Sequence, residues 1–167
     1  MRLVADPVRR YLWRRTNTDT ADDVLAETLL ALWRRREQMP LEAETIAWAI
    51  GVARLQLANA QRAQRRRDRL AARVAAIDPP ATVTFEPGGP ADEDVRATLA
   101  GMRAADSEIL RLWAWDDLAP RELAAVLGIT VNAATVRLHR ARRRFEAAWS
   151  KTRRVDGHVK ASEGNRP

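Results

Sequence analysis

The sequence predicts an all-α fold: two small helical domains joined by a Pro/Gly-rich linker, the second containing a helix-turn-helix. Three observations predict it. Apolar residues recur at helical spacing along most of the chain. The stretch Ile77 to Pro90, IDPPATVTFEPGGP, holds four prolines and two glycines without periodicity, which reads as a semi-stiff, extended connection. Leu118 to Trp149 reads as a short helix, a tight turn and a longer basic helix. The expected organisation is a first domain over residues 1–76, a linker over 77–90, a second domain over 91–149 and a disordered basic tail over 150–167.

Composition bounds the chemistry. A chain of 167 residues, 46% hydrophobic, can form one compact domain or two small ones. It has no cysteine and two histidines, His139 and His158, which excludes disulfides and a thiolate or structural zinc site. Its carboxylates fall mostly at capping positions and suggest neither a nucleophile nor a metal cluster, so neither an enzyme nor a cofactor is expected. No run of about 18 apolar residues occurs, and there is no hydrophobic signal segment. The expectation is a soluble cytoplasmic protein with no direct membrane insertion.

The net charge of +7 is uneven. Residues 1–76 carry 15 basic against 9 acidic side chains, whereas 91–149 carry nine of each. Such a balance favours a polyanion partner through counterion release. Almost all of the positive charge is arginine, whose fork matches phosphates and guanine edges.

In chain order, the first helix is expected from Val8 to Arg15, with Val8, Tyr11, Leu12 and Arg15 on one face. Thr20 reads as the cap of the second helix. Asp22 and Asp23 lie in its first turn and Arg34, Arg35 and Arg36 in its last, an order that complements the helix dipole. Leu25, Thr28, Leu29 and Leu32 form its core face. On the opposite face Asp23, Ala26, Glu27, Leu30 and Arg34 recur at helical spacing. Leu30 there is either an ordinary exposed leucine or a docking spot for a basic partner helix; the pattern leaves both open.

Glu37 to Glu44, with Pro40, reads as a loop. Thr45 is expected to cap a long helix running to about Ala76. Ile46, Ala49, Ile50, Ala53, Leu57 and Ala60 are its buried side, and arginines dominate its second half. Arg54, Ala58, Gln61, Arg62, Arg65 and Arg69 line one face, with Gln56 and Asn59 near it. Such a face can meet bases and phosphates together, or simply be solvated. After the linker, Val95, Leu99 and Met102 mark one helix. Ile109, Leu110, Leu112 and Trp113 mark another, begun near Ala104.

In the helix-turn-helix, Pro120 suits a first helical turn, where its missing N–H has no partner to lose. Leu123, Ala124, Val126 and Leu127 are the buried face. Gly128 falls where the first helix must end, and Thr130 is a good cap for the second. There Ala134, Leu138, Ala141, Phe145 and Trp149 make an apolar stripe. Asn132, Thr135, Val136, His139, Arg140 and Arg143 take the other side, as a helix lying in a major groove requires.

The segments TADDVLAETLLALWRR, AWAIGVARLQLANAQRAQRRR and SEILRLWAWDDLAPRELAAVLGITVNAATVRLHRARRRF resemble, in order, regions 2 and 4 of the extracytoplasmic-function sigma factors of bacterial RNA polymerase. The likeness spans about Asp6 to Trp149, with the linker in the family's place. It implies core RNA polymerase and promoter DNA as partners, together with an anti-sigma factor, which typically restrains such proteins. Asp23, Ala26, Glu27, Leu30 and Trp33 match the helix that docks on the polymerase clamp, which favours docking for Leu30. Arg54, Leu55, Gln56, Asn59, Arg62 and Arg65 match the surface reading the −10 element. Trp48 fits core packing or base contact there. The loop Glu37 to Glu44 matches the pocket for a flipped base.

In region 4, the likeness puts Thr135, Val136, His139 and Arg140 at base-facing positions of the −35 helix. Asn132 and Arg143 accompany them, and Arg121, Arg137 and Arg142 suit phosphates. The chain departs from the family in four ways. The first helix is expected to be short at its start. Leu55 replaces a common asparagine, Ala119 a serine cap, and Thr135 and Val136 a common lysine and serine. The competing reading of the residues is a stand-alone helix-turn-helix regulator that never touches polymerase.

Overall fold

In a computed structural model of the protein, residues 2–40, 42–74 and 90–163 are described, with side chains over 3–40, 44–70 and 93–151. All the elements they form are helices: α1 (Arg2–Trp13), α2 (Thr18–Arg34), a 3₁₀ turn (Arg36–Gln38), α3 (Glu42–Val74), α4 (Pro90–Gly101), α5 (Ala104–Ala114), α6 (Pro120–Leu127) and α7 (Val131–Glu163). The chain divides into two compact units. One is built on α1 to α3 and includes Ala125–Gly128, the other on α4, α5, the start of α6 (Pro120–Ala124) and α7. The expected linker from Ile77 to Gly89 lies outside the described residues; Pro90 is already the first residue of α4.

The first unit is a three-helix packing in which each helix touches the other two. Val4, Val8, Tyr11 and Leu12 of α1 are buried with Ala21, Val24, Leu25, Thr28 and Leu32 of α2. Ala47, Ala49, Ile50, Ala53 and Leu57 of α3 complete the core. Several sequence expectations are corrected here. Helix α1 begins at Arg2, not Val8, and runs through Pro7. Proline removes one helical donor, which leaves the Leu3 carbonyl without its usual partner, but Leu3 is exposed to solvent and the adjoining Val4–Val8 pair is fully buried.

Helix α2 begins at Thr18, capped by Asn17 rather than by Thr20. The Asn17 side chain accepts a hydrogen bond from the Thr20 N–H at 2.9 Å, as an N-cap amide does for the third helical residue. Thr45 is likewise not a cap. It lies in the first turns of α3, where its hydroxyl donates to the Pro40 carbonyl at 2.9 Å. The expected loop from Glu37 to Glu44 therefore shrinks to a 3₁₀ turn and a short connection.

In the second unit α7 packs against α4 and α5. Leu99, Ile109, Leu110, Leu112, Leu118, Leu123, Ala124, Ala134, Leu138 and Ala141 are buried. Asp106, in the first turn of α5, accepts a 2.6 Å hydrogen bond from Arg144 of α7. Helix α6 is held at both ends. At its start the Glu122 carboxylate accepts the Ala119 N–H at 2.7 Å, the carboxylate half of a capping box. At its end Gly128 takes φ +66°, and the Ile129 N–H donates to the Ala124 carbonyl at 3.1 Å, the long bond of a Schellman motif. Thr130 caps α7, its hydroxyl accepting the Ala133 N–H at 3.2 Å.

Helix α7 does not stop near Trp149. It continues to Glu163, where the sequence reading expected disorder from Ser150 onward. Extending an existing helix costs far less than nucleating one, and a helix anchored in a core can carry a polar segment that would not fold alone. Among the described residues no helix is long and apolar enough to cross a membrane.

Candidate nucleic-acid interface

Successive residues of an α-helix are turned by about 100°, so the buried stripe of α7 dictates what faces outward. Ala134, Leu138 and Ala141 are buried. Thr135, His139, Asn132, Arg143, Val136 and Arg140 then fall, in that angular order, within an arc of roughly 140° on the far side, and all six are exposed. The N-terminal half of this face is short and polar or branched, and its second half carries guanidinium groups. The Thr135 hydroxyl donates back to the Val131 carbonyl at 2.9 Å, which leaves its oxygen lone pairs outward as acceptors.

Two arginines of α7 flank that face. Arg137 is half-buried. Arg142 lies over the Trp113 ring at 4.8 Å, a cation–π contact that holds its guanidinium beside α5. Arg121 is exposed in the first turn of α6. The second unit is close to neutral over 91–149, yet residues 131–146 hold five arginines and one glutamate. Its positive charge is thus concentrated on α7, a distribution that orients a polyanion toward one helix.

Helix α3 presents a second polar face. Arg54, Arg65, Arg62, Leu55, Trp48 and Asn59 span roughly 140° of its circumference, in that order, while Gln56 sits about 60° beyond the arc. Leu55 is 60% exposed. Trp48, Arg54 and Gln56 are half-buried, and Asn59, Arg62 and Arg65 are exposed. Arg62 donates to the Asn59 side chain one turn earlier. Gln56 is therefore the one member of this predicted set that the helix turns away from the rest.

On α2, Asp23, Ala26, Glu27, Leu30 and Trp33 share one outward face, and all five are exposed. Leu30 is 48% and Trp33 56% exposed. Arg36 lies over the Trp33 ring at 5.2 Å. Two apolar side chains in an acidic stripe form a surface suited to a basic, amphipathic partner. Sequence reasoning missed the Asp106–Arg144 bond and the Arg142–Trp113 contact. Both join residues far apart in the chain, and no local pattern announces them. Among the described residues no group of acidic, histidine or cysteine side chains could hold a metal.

Residues 92–145, from α4 through the first half of α7, match the family Sigma-70, region 4. Two solved structures are similar over most of their length. One is the sigma factor RpoE of Bartonella quintana, in complex with the anti-sigma factor NepR. It is 21% identical, with 89% of this chain and 92% of that chain covered, at a TM-score of 0.63. The other is CnrH in complex with the cytosolic domain of CnrY, 23% identical, with 89% and 80% covered, at a TM-score of 0.55. No curated protein sequence matches the chain significantly. Over most of its length the chain thus shares the fold of these two solved structures, and residues 92–145 within it match the region 4 family.

Proposed function

We propose that the protein is an RNA polymerase sigma factor of the extracytoplasmic-function group. It binds core polymerase, directs it to promoters through −10 and −35 elements, and helps open the DNA. The observation that carries this reading is the region 4 match over α4 to α7 within a fold shared along 89% of the chain with a sigma factor. A stand-alone regulator would need only the second unit, and it leaves the exposed acidic face of α2 without a purpose.

In this reading the first unit (residues 1–76) is region 2 and the second (91–149) is region 4. Asp23, Ala26, Glu27, Leu30 and Trp33 form the polymerase-docking face. Arg54, Leu55, Asn59, Arg62 and Arg65 contact the −10 strand with Trp48 beside them, and Gln56 contributes at the margin. Thr135, Val136, His139 and Arg140 read −35 base edges with Asn132 and Arg143, and Arg121 and Arg137 hold phosphates. The work is done by binding and not by catalysis: phosphate contacts set register, a few side chains select bases, and captured unstacked bases, each worth about 1–3 kcal/mol, draw the strands apart. The solved RpoE is bound to the anti-sigma factor NepR, which supports a similar restraint on this chain, in the cytoplasm.

Affinity co-purification tests the reading. The chain is expected to bring down core polymerase subunits and to support run-off transcription, and the double substitution Glu27→Ala, Leu30→Ala to abolish both while duplex binding persists. Duplex binding without any recruitment of polymerase by the wild-type chain would return the protein to the stand-alone class.

A further inference from the structure

Val136 is the one residue in the exposed arc of α7 whose side chain can neither donate nor accept a hydrogen bond. Asn132, Thr135, His139, Arg140 and Arg143 all can. It is 40% exposed. It lies about 140–160° around the helix from the buried Ala134, Leu138 and Ala141, so the domain core does not use it. The helix does not call for it either, since a β-branched side chain lowers helix propensity. A lone apolar side chain is ordinary on most surfaces. This one stands in the middle of a polar face, with Asn132 one turn before it and His139 and Arg140 one turn after, all exposed.

In a major groove the chemistry open to such a group is narrow. The base edges there offer donors and acceptors, and the apolar surface among them is the C5-methyl group of thymine. Cytosine carries a hydrogen at the same carbon, and 5-methylcytosine carries the methyl. The neighbouring side chains suit other edges: Asn132 matches the N6 and N7 of adenine, and Arg140 the O6 and N7 of guanine. The Thr135 hydroxyl already donates to the Val131 carbonyl at 2.9 Å, so it meets a base as an acceptor. A methyl group on this face is therefore left to Val136.

We propose that Val136 packs against the C5-methyl of one pyrimidine in the element that α7 reads, so that binding responds to that methyl alone. The same chemistry comes from two sources, thymine and a methylated cytosine, and affinity for the element then rises when a cytosine at this position is methylated. The proposal deepens the sigma-factor reading and rests on it for the placement of α7 in a major groove.

The test uses the full chain, alone and as holoenzyme reconstituted with core polymerase, on a duplex selected from a randomised pool. Each thymine is replaced in turn by uracil, which lacks only the methyl. At one position the replacement is expected to weaken wild-type binding by about fourfold, what one buried methyl-sized group contributes. Val136→Ala is expected to bind the thymine and uracil duplexes equally, Val136→Ile to keep the preference, and Arg140→Ala to lose affinity while keeping the ratio. At that position 5-methylcytosine is expected to exceed cytosine by a similar factor; a gain seen with thymine alone assigns the contact to thymine and overturns the extension to methylated cytosine. Equal binding of thymine and uracil at every position overturns the proposal, as does a preference that survives in Val136→Ala. Recruitment of polymerase is scored separately. If it fails while the methyl preference holds in the free chain, the sigma-factor reading falls and the contact stands. Absence of duplex binding by both the chain and the holoenzyme overturns both.

Discussion

Asp106 combines a first-turn helical position with near-complete burial: its side chain is 8% exposed, while that of its partner Arg144 is 52% exposed. The asymmetry decides what each substitution does. Removing Arg144 strands a carboxylate away from water, at the full desolvation cost of a charged group. Removing Asp106 leaves an arginine that can swing into solvent. Arg144→Ala is therefore expected to destabilise the protein by about 1–3 kcal/mol, more than Asp106→Ala does, and the double variant to be no worse than Arg144→Ala alone. Urea unfolding of the three variants checks this. Equal losses from both single variants would mean that the bond acts through Arg144 packing. Because the partners are 38 residues apart, the sequence shows Asp106 only as a first-turn acid of α5. Its role is visible only once α7 lies across that helix.

Helix α6 has eight residues, too few to be stable alone, so its ends matter as much as its face. The end was legible in the sequence, since a glycine after an apolar run is how such a helix stops, and Gly128 does adopt the left-handed φ of +66°. The start was legible in part. Ala119 reads as a lost cap, but Glu122 restores one bond of the box by reaching back to the Ala119 N–H. Gly128→Ala is expected to cost about 1–2 kcal/mol, the penalty of a Cβ in left-handed backbone. Ala119→Ser, supplying the missing hydroxyl, is expected to add about 0.5–1 kcal/mol. Thermal unfolding should shift in opposite directions for the two. The ends of α2 and α3 were misread for a related reason. Thr20 and Thr45 are cap-type residues in capping-like contexts, but Asn17 outcompetes the first. Thr45 lies inside a helix that already begins at Glu42, and its hydroxyl donates back to the Pro40 carbonyl ahead of that helix. The continuation of α7 to Glu163 had no apolar repeat to announce it. Helical periodicity announces a helix through its apolar repeat, and the sequence from Ser150 to Glu163 is mostly polar.

At the scale of the whole chain, the candidate DNA faces sit on separate compact units, one on α3 and one on α7, and each unit has its own core. Outward positions were legible because the buried stripes fix them by rotation, which is why the predicted face of α7 emerges nearly complete and only Gln56 drifts from that of α3. What those residues select was not legible, since base choice depends on the pairing of individual side chains with groove edges. The division into units has an energetic consequence. Arg140→Ala is expected to cost about 1–3 kcal/mol at −35 positions alone, and Asn59→Ala to act at −10 positions alone. With no shared partner, the two should add within about 0.5 kcal/mol when combined. Open-complex formation by the reconstituted polymerase, measured on promoters mutated in one element at a time, gives the coupling directly. A coupling well above that limit would show that the two faces engage the promoter as one body, and the chain would then have to be described as a single reader with one register.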